Sequence, residues 1–177
     1  MPRDNLRFAQ RLWADTSSGL MLRADVLSAE GGLLESSAFS VVELDVKPQP
    51  NSVLQALRQD DGLRVVRPPQ RRTTLEAEGW RLARPVPGFT LGGCVIKGLE
   101  VGGKDPPMLQ AVFSDGLTHV SVFVEHFDAA RHRAEVQARR GATHTAMRRI
   151  GDDWFTVVGD VPSTSLRHFA EALERTR

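Results

Sequence analysis

Apolar and polar residues alternate along three runs near the start of the chain, residues 6–15, 19–32 and 37–46. A period of two places successive side chains on opposite faces of an extended strand. The stretches TSSG and AEGG supply the serine and glycine residues that hairpin turns favour. The pattern therefore predicts an antiparallel three-stranded meander with one solvated face.

This meander needs a cover for its apolar face, and residues 1–47 contain no helical pattern that would provide one. We therefore expect part of this domain to be missing from the chain or to be supplied by a partner. Residues 48–78 have a different composition, in which prolines at four positions disfavour regular pairing. We interpret them as an interdomain linker, with a helix of one or two turns in VLQALRQ.

A second unit, residues 79–177, returns to strand periodicity. GWRLARPVPGFTLGGCVIKGLEV predicts two short extended segments interrupted at Pro85 and Pro87. PPMLQAVF and GLTHVSVFVEHF predict a hairpin, and THTAMRRI and WFTVVGD predict two more strands around the turn GDD. In the second strand of the first hairpin, one face carries Val120, Val122 and Val124, and the other carries His119, Ser121, Phe123 and Glu125.

The end of the chain predicts an amphipathic helix of about three turns. Its apolar positions recur at i, i+3, i+4 and i+7, namely Leu166, Phe169, Ala170 and Leu173. Ser163 or Thr164, just after Pro162, is the expected N-cap. This helix is the natural cover for the valine face, so we predict an α+β protein that is mainly antiparallel β.

Ser114, Asp115 and His119 lie within six positions of one another and raise the question of a catalytic cluster. A nucleophilic serine needs a base within hydrogen-bond reach, an acid behind that base and oxyanion donors from a sharp strand-to-helix turn. Here SDG lies between two predicted strands, where Asp-Gly is a strong signal for a two-residue hairpin turn. We therefore interpret the cluster as a turn and expect no enzymatic activity, with a Ser114 hydrolase kept as an alternative.

Composition excludes several other classes of function. The 23 Lys and Arg against 22 Asp and Glu give a net charge of +1, which does not favour nucleic-acid binding. No apolar run approaches the roughly 18 residues of a membrane span, and the opening MPRDNLRFAQ lacks the apolar centre of an export signal. Cys94 is the only cysteine, and the five histidines show no metal-binding spacing, so we expect neither a metal nor another cofactor.

Six arginines lie within a stretch of nineteen residues that contains Glu135 as its only acid. They are Arg131, Arg133, Arg139, Arg140, Arg148 and Arg149. Guanidinium groups bind carboxylates and phosphates bidentately, so the cluster is suited to an acidic peptide or a lipid head group. A solvated strand face is the alternative, and alternation places neighbouring arginines on opposite faces.

Four segments together resemble the MucB/RseB family of sigma-E regulators: RFAQRLWADTSSGLMLRADVLSAEGGLLESSAF, Trp80 followed by PVPGF, SDGLTHVSVFVE and TVVGDVPSTSLRHFAEALE. They occur in order along nearly the whole chain, with the linker excepted. The resemblance implies a periplasmic protein that binds the periplasmic part of a membrane-bound anti-sigma factor of the RseA/MucA type. Binding would protect that factor from proteolysis and keep the envelope-stress response off.

The family also implies an N-terminal domain similar to the lipoprotein carriers LolA and LolB, and a response to lipopolysaccharide or lipoprotein. Residues 1–47 correspond to the last strands of that domain, and residues 79–177 to the family's C-terminal domain. We therefore expect this chain to contain little of the acyl-chain cradle, and the resemblance alone implies the periplasmic location. The family supplies no catalytic residues.

Our first hypothesis is a binding module that presents a sheet face or edge to an extended partner segment. Aromatic and arginine side chains dominate interface energetics, which selects the candidate contacts. These are His119, Phe123, Arg139, Arg148 and Trp154. The alternative is a lipid, lipopolysaccharide or lipoprotein carrier in which residues 1–47 complete a half-barrel with another chain, for instance in a homodimer.

Overall fold

The computed structural model describes residues 2, 4–47, 51, 69–98 and 106–176. Within these ranges the chain forms three antiparallel sheets and one α-helix. The strands are β1 Ala9–Ala14, β2 Met21–Leu27, β3 Leu33–Ala38, β4 Gln70–Arg72, β5 Trp80–Leu82, β6 Thr90–Lys97, β7 Met108–Ser114, β8 His119–His126, β9 Gln137–Arg140, β10 Thr143–Ile150, β11 Asp153–Gly159 and β12 Leu173–Arg175. The helix α1 is Ser163–Ala172, and a 3₁₀ turn spans Glu76–Glu78.

The three-stranded meander β1-β2-β3 confirms the first prediction, although its third strand is misplaced in the sequence analysis. Strand β3 begins directly after the glycine turn, where the N–H of Ser28 donates to the carbonyl of Gly32. From that point β3 pairs with β2 as far as Ala38, which lies opposite Arg23. Residues 39–46, the larger part of the predicted run 37–46, therefore lie outside the strand.

The turn between β1 and β2 is built on Asp15. Its carboxylate accepts hydrogen bonds from the backbone N–H groups and the hydroxyls of both Ser17 and Ser18. The Ser17 hydroxyl, followed by the Ser18 amide and hydroxyl, lowers the pKa of Asp15 to about 2. The TSSG stretch is thus a turn because the preceding aspartate organises it, a feature that the serines alone do not reveal.

A seven-stranded antiparallel sheet in the order β4-β6-β7-β8-β11-β10-β9 forms the centre of the second unit. Both predicted hairpins are present, and the interruption between β5 and β6 contains Pro85 and Pro87 as expected. The faces of β8 follow the prediction, because Val120, Val122 and Val124 are all buried. We call the side that carries these valines the helix face and the opposite side the open face.

Helix α1 covers the helix face, as predicted. Phe169 is fully buried and packs its ring on Phe113 and Phe89, with centroids 5.1 and 5.4 Å apart. Around it the core contains Leu75, Trp80, Val86, Cys94, Ile96, Leu109, Ala111, Val120, Val122, Val124, Phe155, Val157, Val161, Leu166 and Leu173. The amphipathic pattern of the sequence therefore identifies the main layer contact of the fold.

The ends of the helix differ from the prediction. Pro162 is the N-cap instead of Ser163 or Thr164, because its carbonyl accepts the N–H groups of Ser165 and Leu166. At the other end, Leu173 leaves the helix with extended backbone angles and pairs with Leu82 in the two-stranded sheet of β12 and β5.

Part of the predicted linker belongs to the large sheet. Strand β4 pairs with β6 at the sheet edge, and Leu75, 3% exposed, enters the core. Pro69 precedes β4, so it does not interrupt the pairing of that strand, and Pro68 lies outside the described residues. The expected helix in VLQALRQ lies outside the described residues.

The segment before β1 fastens the meander to the second unit. Leu6 is 5% exposed within the core, and its carbonyl accepts the hydroxyl of Ser165 at 2.6 Å. The guanidinium of Arg7 bonds the carboxylate of Asp115 at 2.6 Å and lies over the Phe89 ring. We call these contacts the N-terminal clasp; they connect the two units directly.

The clasp leaves most of the meander uncovered. Its exposed large apolar side chains are Leu12, Trp13, Leu20, Met21 and Leu33, and those of the following segment are Phe39, Val41, Leu44 and Val46. This agrees with the expectation that residues 1–47 contain no cover for their apolar face.

Replacing Phe169 by alanine removes both aromatic contacts and leaves a cavity between helix and sheet. We expect the free energy of unfolding to fall by about 3–5 kcal/mol, measured by urea denaturation. His168→Ala, on the exposed side of the same helix turn, is the matched control and should change stability by less than about 0.5 kcal/mol. Equal effects of the two substitutions would contradict the packing described here.

The Asp115→Asn variant tests the clasp. Burial alone raises the pKa of Asp115, but the amides of Thr118 and Leu117 and the Arg7 guanidinium outweigh it and hold that pKa below its ordinary value of 3.8. A lowered pKa means that the charged group stabilises the fold fully above the unfolded-state value and loses this effect as pH falls through the folded-state value. We expect Asp115→Asn to lower the free energy of unfolding by about 1–2 kcal/mol at pH 7. Its difference from wild type should shrink as the pH falls below 3.8, the ordinary pKa of aspartate.

Urea denaturation at pH 7 and at pH 3 measures this difference. Asp152→Asn, a substitution of a carboxylate whose side chain is 83% exposed, is the control. A difference between Asp115→Asn and wild type that stays constant with pH would show that the carboxylate charge is not what stabilises the clasp.

Candidate functional site

Ser114, Asp115 and His119 belong to a β-hairpin, as predicted. Ser114 pairs with His119, so the loop has four residues instead of the two predicted. The Ser114 hydroxyl donates to the carbonyl of Thr118 at 2.8 Å, and Asp115 accepts the N–H groups of Leu117 and Thr118. The longer loop arises because Asp115 stabilises the turn through these two amides while also binding Arg7.

An open groove of roughly 550 Å³ lies at the β9 edge of the sheet, between the β9–β10 hairpin and helix α1. Its sheet side is formed by residues 135–139 and 144–148, and its helix side by Ser163, Leu166, Arg167, Ala170 and Glu171. The groove exists because the sheet extends past the helix at β9, the last strand in the sheet order. We call it the arginine groove.

Arginines from three elements line this groove: Arg139 from β9, Arg148 from β10 and Arg167 from α1. None of the three makes an ion pair within the described part of the chain. Two carboxylates, Glu135 and Glu171, also line it, which leaves an excess of positive charge. Such a site favours an anionic ligand that forms bidentate contacts with guanidinium groups.

The groove also has an apolar component. Leu166 and Ala170, from the inner side of the helix, are almost fully buried, and Ala146 of β10 is half-buried beside them. His144 lies at the same level as Arg139 and stacks on Phe8, with ring centroids 5.7 Å apart. A ligand suited to the groove therefore combines negative charge with aliphatic groups.

The strand register distributes the five predicted contacts over both faces. Arg139 lies opposite His144 and Arg148 opposite Phe155, so both arginines point to the helix face. His119, Phe123 and Trp154 belong to the open face, where Trp154 lies opposite Glu125. The five residues do not form one surface. Alternation separates Arg139 from Arg140 and Arg148 from Arg149, as expected.

Trp154 is 4% exposed, because the loop after β8 folds over it. The His132 ring stacks on the indole with centroids 4.7 Å apart and planes within 10°. Its Nδ1 accepts the N–H of Asp128, so Nε2 carries the ring proton and donates to Glu125 at 2.9 Å. Trp154, predicted to contact a partner, therefore packs against a loop of its own chain.

Sequence reasoning missed three parts of the groove: Arg167, Leu166 as a groove residue, and the strand β9 itself. Arg167 lies outside the nineteen-residue arginine stretch, and the pattern of the helix assigns Leu166 to the core. The dipeptide Gly141-Ala142 was the available signal for β9, because a two-residue turn with Gly141 at φ 60° closes that hairpin.

Other chemistry is sparse in the described ranges. There, no group of three or more His, Cys, Asp or Glu side chains is arranged to hold a metal ion. Cys94 is buried, and that burial, with smaller effects of Glu78 and Glu76, raises the pKa of its thiol. Among the same residues, no helix combines the length and hydropathy that crossing a membrane requires.

Two family models match most of this chain. Residues 74–174 match the family model of the MucB/RseB C-terminal domain, and residues 1–57 match that of the MucB/RseB N-terminal domain. The chain belongs to the MucB/RseB family. The resemblance inferred from the four quoted segments is thereby confirmed.

Relatives in this family include the sigma factor AlgU regulatory protein MucB of Pseudomonas aeruginosa, which is 28% identical over 165 residues. That alignment covers 91% of this chain and 50% of the relative. The sigma-E factor regulatory protein RseB of Escherichia coli is 24% identical over 172 residues, covering 97% of this chain and 52% of RseB. The chain thus spans about half the length of these relatives.

Solved structures agree with the fold. The crystal structure of MucB in complex with MucA(peri) matches 99% of this chain and 60% of its own, with a TM-score of 0.73 and 26% identity. The complex structure of Pseudomonas aeruginosa MucA/MucB matches equally well, with a TM-score of 0.73 over 99% of this chain and 58% of that one. The mainly antiparallel class, the meander and the C-terminal helix are therefore confirmed.

Truncating His132 should uncover Trp154. We expect His132→Ala to increase acrylamide quenching of tryptophan fluorescence and to shift the emission to longer wavelength, because the stacked ring no longer excludes solvent. A Trp13→Phe background removes the signal of an already exposed indole, and Arg133→Ala in the same loop is the control. Unchanged quenching in His132→Ala would show that the loop does not depend on this stack.

Proposed function

We propose that this protein is a negative regulator of the sigma-E envelope-stress response. In this proposal it binds the periplasmic part of a membrane-bound anti-sigma factor of the RseA/MucA type and protects that factor from proteolysis. The observation that carries the proposal is the match of nearly the whole chain to MucB in a complex with MucA(peri). The regulatory names of its relatives support the same role.

The described surface provides physical support for peptide binding. Proteases take their substrates in extended form, so a segment held along a sheet is withheld from them. The arginine groove supplies charge and apolar area beside a sheet edge, and Arg139 and Arg148 are the predicted contacts that lie in it. His119 and Phe123 remain predictions for the open face, while Trp154 would be reached only after the His132 loop moves.

The proposal extends to location and chemistry. The regulator acts in the periplasm, where the anti-sigma segment is exposed, and it performs no bond chemistry of its own. In support of the second point, the Ser114 hydroxyl is engaged with a backbone carbonyl in a hairpin loop.

An exposed apolar face gives the alternative function specific support. Large apolar side chains on β1 and β2 are open to solvent: Leu12 is 43% exposed and Met21 is 46% exposed. Monomeric proteins rarely leave such patches without a ligand or partner. A carrier of lipid, lipopolysaccharide or lipoprotein, completed by a second copy, would retain lipid through purification and have the solution mass of a dimer.

Binding and protection are tested with the periplasmic fragment of Pseudomonas aeruginosa MucA and the full chain described here. At a concentration about ten times Kd, roughly nine-tenths of the fragment is bound, so its cleavage by a nonspecific protease should slow about tenfold. Intact P. aeruginosa MucB is the positive control. If MucB protects the fragment and this chain neither binds nor protects it, the proposed function is wrong.

A further inference from the structure

The outer edge of β9 is open in the described structure. Strand β9 is the last in the sheet order, pairs with β10 alone and has all four of its residues exposed. An unpaired edge of this kind presents backbone N–H and C=O groups to any additional strand. The groove lies directly beside this edge, since residues 135–139 form its rim.

The hairpin register determines which backbone groups of β9 are available. A two-residue turn makes Arg140 and Thr143 a hydrogen-bonded pair, so Ala138 and Thr145 form the next such pair. The N–H of Met147, which bonds the carbonyl of Val136 at 2.8 Å, continues this series. The N–H and C=O groups of the intervening residues, Gln137 and Arg139, therefore point away from β10 to the open edge.

Side-chain chemistry beside this edge is charged and apolar together. Arg139 and Arg167 are exposed, and Arg148 is half-buried on the helix face. An added strand would direct every second side chain into the groove. There, carboxylates would meet the arginines and short aliphatic groups would meet Leu166 and Ala170.

We propose that the arginine groove binds an extended acidic segment of a protein partner as an additional strand on β9. The groove-facing positions of that segment carry carboxylates and small aliphatic side chains. The identity of the partner rests on the proposed function, whereas the chemistry of the site does not. Gln137 and Arg139 supply the backbone bonds, and the three arginines supply selectivity for negative charge.

Two probes separate the site from the identity of its partner. One is a labelled ten-residue peptide that alternates glutamate and valine, with a lysine and valine peptide as its charge control. The other is the periplasmic fragment of P. aeruginosa MucA. Fluorescence anisotropy measures the affinity of each probe for the full chain.

The first comparison uses two double variants with the same change in net charge. Arg139→Glu plus Arg167→Glu alters exposed groove residues and should weaken binding of the acidic peptide at least about tenfold. Arg72→Glu plus Arg133→Glu lies outside the groove and away from β9, with Arg72 on β4 at the opposite edge of the sheet, and should change it by less than about twofold. Arg148→Gln, a neutral substitution of the half-buried arginine, should give a smaller loss in the same direction. Circular dichroism confirms the fold of each variant.

The second comparison tests strand addition itself. Successive residues of a strand point their N–H groups to opposite edges, so N-methylation of alternate residues blocks only one edge. One of the two alternating N-methyl sets should abolish binding of the acidic peptide, and the other should change affinity by less than about threefold. Equal losses from both sets, or no loss from either, would overturn strand addition.

The remaining outcomes distinguish the inference from the proposed function. Peptide binding that depends on the groove, with no binding of the MucA fragment, supports the site and contradicts the proposed partner. Binding of the MucA fragment that the groove variant leaves unchanged supports the function and overturns the groove as its site. Groove-dependent binding of phosphatidylglycerol vesicles, with neither peptide bound, would overturn the inference in favour of a lipid surface.

Discussion

Helix α1 packs on a sheet that is too wide for it, and this mismatch determines where a surface is left for binding. A ten-residue helix is about 15 Å long, whereas seven strands spaced about 4.8 Å apart span about 29 Å. Burial of Leu166 and Phe169 fixes the helix against β10 and β11. The flank towards β4 is filled by Leu75 and Trp80, which belong to the same core. Among the residues that the structure describes, none fills the flank towards β9 in this way, and a groove remains there.

The same contacts explain which features the sequence could predict. Alternating valines and the spacing of Leu166 and Phe169 report local geometry, so the hairpins, the helix and their packing follow from the pattern. The position of β3 did not follow, because the glycine turn sets its register and residues 39–46 have no partner strand in the described part of the chain. The N-cap was also misassigned, since the carbonyl of Pro162 accepts the first helical N–H groups and no serine or threonine side chain caps them.

The chemical character of the candidate site was predictable from the sequence, but the set of residues that form it was not. The arginine stretch predicts a charged surface, and strand alternation divides that stretch between two faces. The groove gains Arg167 from a separate element, and no pattern in the sequence connects that residue with Arg139. Trp154 was predicted as a contact because tryptophan is common at interfaces. Only the fold reveals that His132 covers it.

The N-terminal clasp and the groove share structural elements. Ser165, in the first turn of α1, holds Leu6, and two residues later Arg167 lines the groove. Phe8 stacks on His144, which lies opposite Arg139 in the register. A displacement of the meander would therefore disturb contacts on both the helix side and the sheet side of the groove.

Arginine suits this position for a geometric reason. Groove-facing side chains of an added strand repeat about every 6.8 Å, the same interval that separates Gln137 from Arg139 on β9. A guanidinium fork binds both oxygens of one carboxylate, so each arginine fixes a single position of the added strand, which a flexible lysine ammonium does less well. Charge thereby specifies register, and backbone pairing along the edge of β9 supplies affinity that depends little on sequence.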